Sequence, residues 1–285
     1  MIYRACNNIH NPSPSPVELC ALQFDLAWED RASNFAAVQA ALQEATPPLA
    51  VDSLLVLPEM FAIGFSMNVL QAADTAAAET EVFLAQLARQ HHIYVLAGLA
   101  RQLPDGTGAN EAVAFSPDGT LLVRYRKIHS FPPAGEAVAF TAGFQILTFP
   151  WNGFTVAPAI CYDLRFPELF RAATAAGADL FCVIANWPDR RQAHWTTLLQ
   201  ARAIENQAFV LGVNRCGTDP HFTYPGASAL IDPHGVTLTA AGSSPTLLRF
   251  TISSKTAATW RAGFPALRDR RTDLFPEATR LPLTS

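Results

Sequence analysis

Val156-Ala157-Pro158-Ala159-Ile160-Cys161-Tyr162-Asp163-Leu164-Arg165-Phe166-Pro167-Glu168 is the stretch on which the reading of this chain turns. An apolar run of strand character stops at a cysteine, and a short polar stretch then leads into a helix-like segment beginning near Glu168. A thiol at such a corner is fixed by the strand and exposed by the turn. The backbone N–H groups that follow can polarise a carbonyl held against the sulfur. Cysteine is also a small hydrophobe, and a core-filling thiol is the plain alternative. Two more ionisable residues at the ends of apolar runs, Glu59 and Lys127, weigh against it.

Working outward, residues 145–151 and 155–160 flank an Asn152-Gly153 turn and read as a hairpin that delivers Cys161. Beyond it, residues 168–176 read as a helix and residues 180–184 as a fully apolar strand ending in Ala185-Asn186-Trp187-Pro188. A helix over residues 194–206 follows, then strands over 209–214, 227–231 and 247–252, with Pro233-His234-Gly235 a turn between the last two. From about Ser253 the chain reads as an extended C-terminal tail containing Pro265 and Pro276.

The same alternation runs back toward the start. Residues 17–26 form a first strand, Asp30 caps a helix over 32–44, and residues 53–57 form a short buried strand that Pro58 ends, leaving Glu59 just past it. Residues 60–69 are rich in large apolar side chains without a helical period and read as a walling loop; residues 80–91 read as a helix. A strand over 93–99 and a hairpin over 111–115 and 121–127, turned by Pro117-Asp118-Gly119, end at Lys127. The connection over 128–143, with Gly135-Glu136 in it, is longer than a structural link needs, which marks it as functional.

The 285 residues are 50% hydrophobic and 15% charged, enough for a large core, and no linker divides them. The expectation is one α/β domain over residues 17–285 behind a loose, polar N-terminal tail over residues 1–16. A net charge of -4 with scattered Lys and Arg offers no basic face, so nucleic acid is not expected as a partner. Cys6, Cys20, Cys161, Cys182 and Cys216 are odd in number and form no spaced framework, which points to reduced thiols and a cytoplasmic location. No run reaches the roughly 18 apolar residues that span a bilayer, so no membrane partner is expected. Neither a phosphate-binding glycine loop nor a Cys-x-x-Cys or His-x-x-x-His spacing occurs, so no cofactor and no metal are expected.

In layered α/β folds, strand ends of one edge converge on a ligand crevice. Glu59, Lys127 and Cys161 meeting there suit one reaction. The carboxylate takes the thiol proton as sulfur attacks an amide carbon and returns it to the departing ammonia. The ammonium and the backbone N–H of Tyr162 hold the negative oxygen of the tetrahedral intermediate, and a water activated by the carboxylate releases the thioester. A depressed thiol pKa would then show as faster alkylation of Cys161 than of Cys20, Cys182 or Cys216. A thiol–imidazole pair of Cys161 with His129 or His194 remains an alternative.

In these residues the chain resembles the nitrilase superfamily of carbon–nitrogen hydrolases and is similar to its omega-amidase branch. The resemblance rests on Leu57-Pro58-Glu59-Met60-Phe61, Tyr125-Arg126-Lys127-Ile128-His129 and the run from Cys161 to Glu168, in that order, and covers nearly all of residues 17–252. It implies a four-layer α-β-β-α sandwich with two mixed β-sheets, a homodimer paired through the helical layer, and no metal or organic cofactor. It implies Glu59 as general base, Lys127 as oxyanion stabiliser and Cys161 as nucleophile, with Glu136 orienting the lysine and sharing in proton transfer. Ala185-Asn186-Trp187-Pro188, Arg191, His194-Trp195 and the run from Ala201 to Asn206 are similar to the omega-amidase branch, whose substrates are small ω-monoamides of dicarboxylic acids such as 2-oxoglutaramate.

The expected function is therefore a cysteine-dependent amidase that releases ammonia from such a small-molecule amide. Another amidase or a nitrilase of the same superfamily is the nearest alternative, and a catalytically inert binding or assembly protein the alternative from another class. Phe61 and Trp187 are expected as walls of the substrate pocket, with plain core packing as the other reading, and Arg165 is expected to pair with Glu168 or Glu205. The chain departs from the pattern in residues 1–16 and at Ser130-Phe131-Pro132-Pro133, where relatives often carry a leucine after the histidine. Loop shape and substrate choice hang on that segment.

Overall fold

The computed structural model describes residues 15–75, 77–271 and 273–274. The N-terminal tail expected over residues 1–16 lies outside the described residues except for Ser15 and Pro16. Alternating apolar runs and capped helical segments give β1 (Val17–Gln23), α1 (Arg31–Glu44), β2 (Leu54–Val56), α2 (Val69–Ala72), α3 (Glu79–His91), β3 (Tyr94–Gln102), β4 (Gly108–Phe115) and β5 (Leu121–Arg126). They continue with α4 (Glu136–Ala139), β6 (Phe149–Trp151), β7 (Phe154–Ile160), α5 (Pro167–Ala175), β8 (Leu180–Ala185), α6 (Gln192–Asn206) and β9 (Phe209–Asn214). The last elements are β10 (Cys216–Thr218), β11 (Thr223–Pro225), β12 (Ala229–Ile231), β13 (Thr237–Ala240), β14 (Thr246–Ile252) and α7 (Ser254–Gly263).

The strands form two six-stranded sheets, ordered β14-β1-β2-β3-β4-β5 and β13-β12-β9-β8-β7-β6, with β10 and β11 as a separate hairpin. In the first sheet β1, β2 and β3 pair in parallel and the joins to β14, β4 and β5 are antiparallel. In the second, β7, β8 and β9 pair in parallel and the joins to β6, β12 and β13 are antiparallel. The two sheets thus repeat one pattern of strand directions, with β14 crossing from the C-terminal end to edge the first, and no sequence repeat announces it.

Period-two alternation decides which face each residue covers. Leu19, Ala21, Leu54, Val56 and Leu96 pack toward the second sheet. Their neighbours Cys20, Leu22, Leu55 and Val95 pack with Val38 and Leu42 of α1 and Leu84 and Leu87 of α3. On the far side, a Cβ at Gly212 of β9 would meet Leu199 and Trp195, so α6 lies directly on the second sheet. The result is the expected α-β-β-α sandwich.

The extended tail expected from Ser253 is corrected over its first part by α7, in which Ala257 is fully buried, while residues 275–285 of that tail lie outside the described residues. Arg261 donates to the carbonyls of Gln207, Ala178 and Asn206 at 3.0, 2.8 and 3.1 Å. A cation is thereby placed on the carbonyl-rich ends of α5 and α6, where it is favoured. Small and polar side chains give this segment too little apolar period to read as a helix in the sequence.

Two antiparallel steps make β5 run in the direction of β3 and β2, so Lys127 and Glu59 leave the first sheet at the same edge. Cys161 and Asn186 leave the second sheet just beyond β7 and β8, which are parallel neighbours. The sandwich brings the two edges together.

Candidate active site

Glu59 and Glu136 are 0% exposed and Lys127 is 2% exposed, a concentration of buried charge that needs its own partners. The Lys127 Nζ donates to Glu59 Oε1 at 2.9 Å and to both carboxylate oxygens of Glu136 at 3.0 and 2.9 Å. Asn110 of β4 divides its amide between the same two carboxylates, donating at 2.7 Å to Glu59 Oε1 and 2.8 Å to Glu136 Oε1. The other oxygen of Glu59 accepts from the backbone N–H of Asn186 at 2.8 Å, and the Asn186 Nδ2 donates to the Glu59 carbonyl at 2.7 Å. Residues ending one strand of each sheet therefore clasp each other directly. The Phe131 N–H donates to Glu136 Oε2 at 2.6 Å, which ties the long loop after β5 to the cluster. Burial alone would lower the pKa of Lys127, but the charges of Glu59 and Glu136 outweigh it and hold the ammonium protonated.

Gly98 of β3 makes this approach possible. A Cβ there would lie 2.5 Å from Glu59 Cα and 2.7 Å from Met60 N, both main-chain atoms that cannot swing away. Gly98→Ala is expected to displace the Glu59 backbone, lowering kcat by about 100-fold and stability by about 1–3 kcal/mol. Steady-state kinetics and urea unfolding check this, and wild-type behaviour in both would contradict it.

Cys161 sits at φ +46, in the left-handed region that a side chain occupies at a cost, and opens a single 3-10 turn over Cys161–Arg165. Asp163 holds that turn. Its fully buried carboxylate accepts from the N–H of Ile160 at 3.1 Å, the Tyr125 hydroxyl at 2.7 Å and the His129 N–H at 2.9 Å, and meets the His129 Nδ1 at 2.8 Å. The strand carrying Lys127 and the turn carrying Cys161 are thus latched through one acid. The Tyr162 N–H lies in the first turn, where helical geometry supplies no acceptor from within the turn.

The Sγ of Cys161 lies 3.9 Å from the Asn186 carbonyl oxygen. His129 is engaged by Asp163 and stacked on Phe166 at 3.7 Å, and His194 meets Arg165 at 3.3 Å, so neither forms a thiol–imidazole pair with Cys161. The depressed thiol pKa expected from the sequence is corrected as well. Burial first, then the charge of Glu59, push the Cys161 thiol well above its ordinary value, and Lys127 offsets only part of that. Burial also pushes Cys20 up to about 12 and Cys216 to about 11. Access, rather than acidity, separates Cys161 from the other described cysteines: it is half-buried and they are buried.

Residues 18–262 match the family model described as carbon–nitrogen hydrolase. The chain belongs to that family. This carbon–nitrogen hydrolase, which acts on bonds other than peptide bonds, is 38% identical over 265 residues to the omega-amidase YafV of Yersinia enterocolitica, covering 92% of this chain and 98% of the relative. It is 31% identical over 258 residues to the 2-oxoglutaramate amidase of Bacillus subtilis, covering 90% and 98%. A CN-hydrolase superfamily protein from Xanthomonas campestris, solved with an arsenic adduct in its active site, superposes with a TM-score of 0.83 at 32% identity, covering 90% of this chain and 97% of that one.

The hydrolase places Cys161 in a pocket lined by Phe65, Phe131, Tyr162, Arg165, Trp187 and Tyr224 among others. Trp187 is one of the residues lining it, held by donation from its Nε1 to the Arg191 carbonyl at 2.8 Å. Phe61 is not. It packs in the helix-side core with Phe35 and Phe83, ring centroids 5.9 and 6.2 Å away. The wall on that side is Phe65, whose ring lies 5.2 Å from Lys127 Nζ. Arg165 finds neither Glu168 nor Glu205: Arg202 takes Glu205 at 2.9 Å, and the Arg165 guanidinium stacks 4.8 Å from Trp187 and 5.7 Å from Tyr162 at the pocket. Asn110, Asp163 and Phe65 were not singled out from the sequence. Asn110 could have been, since a polar amide in a fully buried strand needs partners. No group of residues suited to a metal ion occurs among the described residues, and none of their helices is long and apolar enough to cross a membrane.

Proposed function

We propose that this chain is an omega-amidase: it hydrolyses the terminal amide of a small dicarboxylic acid monoamide, with 2-oxoglutaramate as the type substrate, through a thioester on Cys161. The observation that carries the reading is a half-buried thiol at a strained turn beside a glutamate whose other contacts are a lysine and two asparagines.

Because its surroundings keep the thiol protonated, Glu59 accepts that proton as the sulfur attacks the amide carbon. The oxygen of the tetrahedral intermediate gathers negative charge and is met by the Lys127 ammonium and the Tyr162 N–H. As the C–N bond breaks, Glu59 returns the proton to nitrogen and ammonia leaves. A water then gives its proton to Glu59 and attacks the thioester, the C–S bond breaks, and the acid is released with the thiol restored. Glu136 fixes the lysine through both its oxygens, and Asn110 keeps the two carboxylates in register.

The substrate class is supported by the names of the relatives and by Arg165, a cation in the pocket without a carboxylate partner among the described residues, suited to the substrate's far carboxylate. Unpaired Cys20, Cys161, Cys182 and Cys216 support a reducing, cytoplasmic setting. A homodimer is supported by exposed large apolar side chains, among them Ile204 of α6, Val236 and Phe264, each more than half exposed.

Ammonia release from 2-oxoglutaramate, set beside a panel of nitriles of the same length, tests the reading. Turnover of the amide with nitriles at least about 100-fold poorer in kcat/KM is expected, because the site is built to bind an amide's oxygen and nitrogen. Nitriles turned over faster than every ω-amide would overturn it.

A further inference from the structure

Several half-buried arginines in this molecule are neutralised by carboxylates, and others, such as Arg171 and Arg261, are satisfied by main-chain carbonyls. Arg31 pairs with Asp74, Arg101 and Arg124 with Glu111, and Arg249 with Glu18. Fully buried Arg215 pairs with Asp25 and donates to three carbonyls. Arg191, like Arg165 in the same pocket, has neither kind of partner for its guanidinium among the described residues. It ends the 3-10 turn Asp189–Arg191 that leads into α6, and its carbonyl is pinned by the Trp187 indole at 2.8 Å. Its guanidinium lies 5.1 Å from the Phe131 ring and lines the pocket that holds Cys161. No carboxylate pairs with it among the described residues, and its Nη1 is buried without a hydrogen-bond partner.

A charged N–H group withdrawn from water without a partner is costly unless something complementary arrives. Burial lowers the pKa of Arg191, and the like charges of Arg190 and Arg165 lower it further, so the local field favours an anion. Phe131, on which the guanidinium rests, is the residue whose N–H holds Glu136 against Lys127. A ligand bound to Arg191 therefore leans on the loop that sets the catalytic cluster.

We infer that Arg191 is a specificity-determining residue: its idle Nη1 binds the carboxylate at the far end of the substrate, beside Arg165, so that the enzyme selects anionic ω-amides over uncharged amides of the same length. This rests on the amidase reading and goes beyond it in naming the residue that distinguishes the two substrate classes. A planar fork of donors suits a carboxylate, and a charge-assisted pair at a partly buried site is stronger than one at the surface.

The experiment compares wild type, Arg191→Met and Arg191→Lys on 2-oxoglutaramate and on pentanamide, with kcat and KM measured separately. The methionine variant is expected to raise KM for 2-oxoglutaramate by about 10- to 150-fold, the range for a hydrogen bond to a charged group. Its kcat/KM preference for 2-oxoglutaramate over pentanamide should collapse by a similar factor, and Arg191→Lys should recover part of the loss. Direct titration of 2-oxoglutaramate into Cys161→Ala, with and without Arg191→Met, should show the same drop in affinity. Equal losses on both amides, or an unchanged preference in Arg191→Met, would overturn the inference while leaving the amidase reading standing. A wild-type enzyme that turns over pentanamide but not 2-oxoglutaramate would remove the proposed substrate class and this inference with it.

Discussion

Lys127→Met is expected to be nearly inactive and measurably less stable, two effects with one cause. The ammonium is the shared counter-ion of Glu59 and Glu136, both shut off from water, with a contact of 2.9 Å to the first and contacts of 3.0 and 2.9 Å to the second. Methionine fills similar space but leaves two buried carboxylates facing each other, and removing one partner of a buried charged group typically costs about 3–5 kcal/mol. Loss of an oxyanion-holding cation lowers kcat by about 100- to 1,000-fold on its own. Mispositioning of Glu59 adds to that, since Lys127 and Asn110 share its Oε1. Urea unfolding and ammonia release measure the two effects. A variant as stable as wild type and within tenfold of its kcat would show that the cluster neither needs the charge nor uses it.

Cys161→Ala should have the largest effect of all. With the sulfur gone there is no acyl acceptor, and loss of a nucleophile from a hydrolase of this kind costs about 10⁴- to 10⁶-fold in kcat. The fold should hold. Alanine tolerates the φ of +46 no worse than cysteine does, and Asp163 still grips the turn through the Ile160 N–H and the Tyr125 hydroxyl. Circular dichroism matching wild type, with ammonia release at background, is the expected pair of results.

Much of this was visible in the sequence because the reacting groups sit where apolar runs end. Glu59 follows β2, Lys127 follows β5 and Cys161 follows β7, and a strand's end is legible from where its hydrophobicity stops. What failed were statements that depend on direction within a turn. Phe61 and Phe65 lie in the same irregular stretch, where no period says which ring faces the core, and the structure sends the first to Phe35 and Phe83 and the second to Lys127. Arg165, expected to pair with Glu168 or Glu205, belongs to the 3-10 turn before α5, whose direction the sequence does not announce and which aims it at Trp187. Glu136 came into view only through the family resemblance. A carboxylate in a loop with prolines gives no sign of its burial until Lys127 and the Phe131 N–H are seen to enclose it.

The thiol teaches a similar lesson. From composition a catalytic cysteine invites the assumption of a thiolate, whereas burial and Glu59 together hold the proton on sulfur. The base is then needed in every turnover, which is why the placement of Glu59 matters as much as the sulfur itself.

Acid quenching of wild-type enzyme during turnover of 2-oxoglutaramate, followed by peptide mass spectrometry, tests the thioester on Cys161 most directly. The peptide containing Cys161 should carry the added mass of the substrate less ammonia, a mass absent from peptides containing Cys20, Cys182 or Cys216 and absent from Cys161→Ala. Sustained ammonia release by Cys161→Ala, or the acyl group found on another residue, would contradict it.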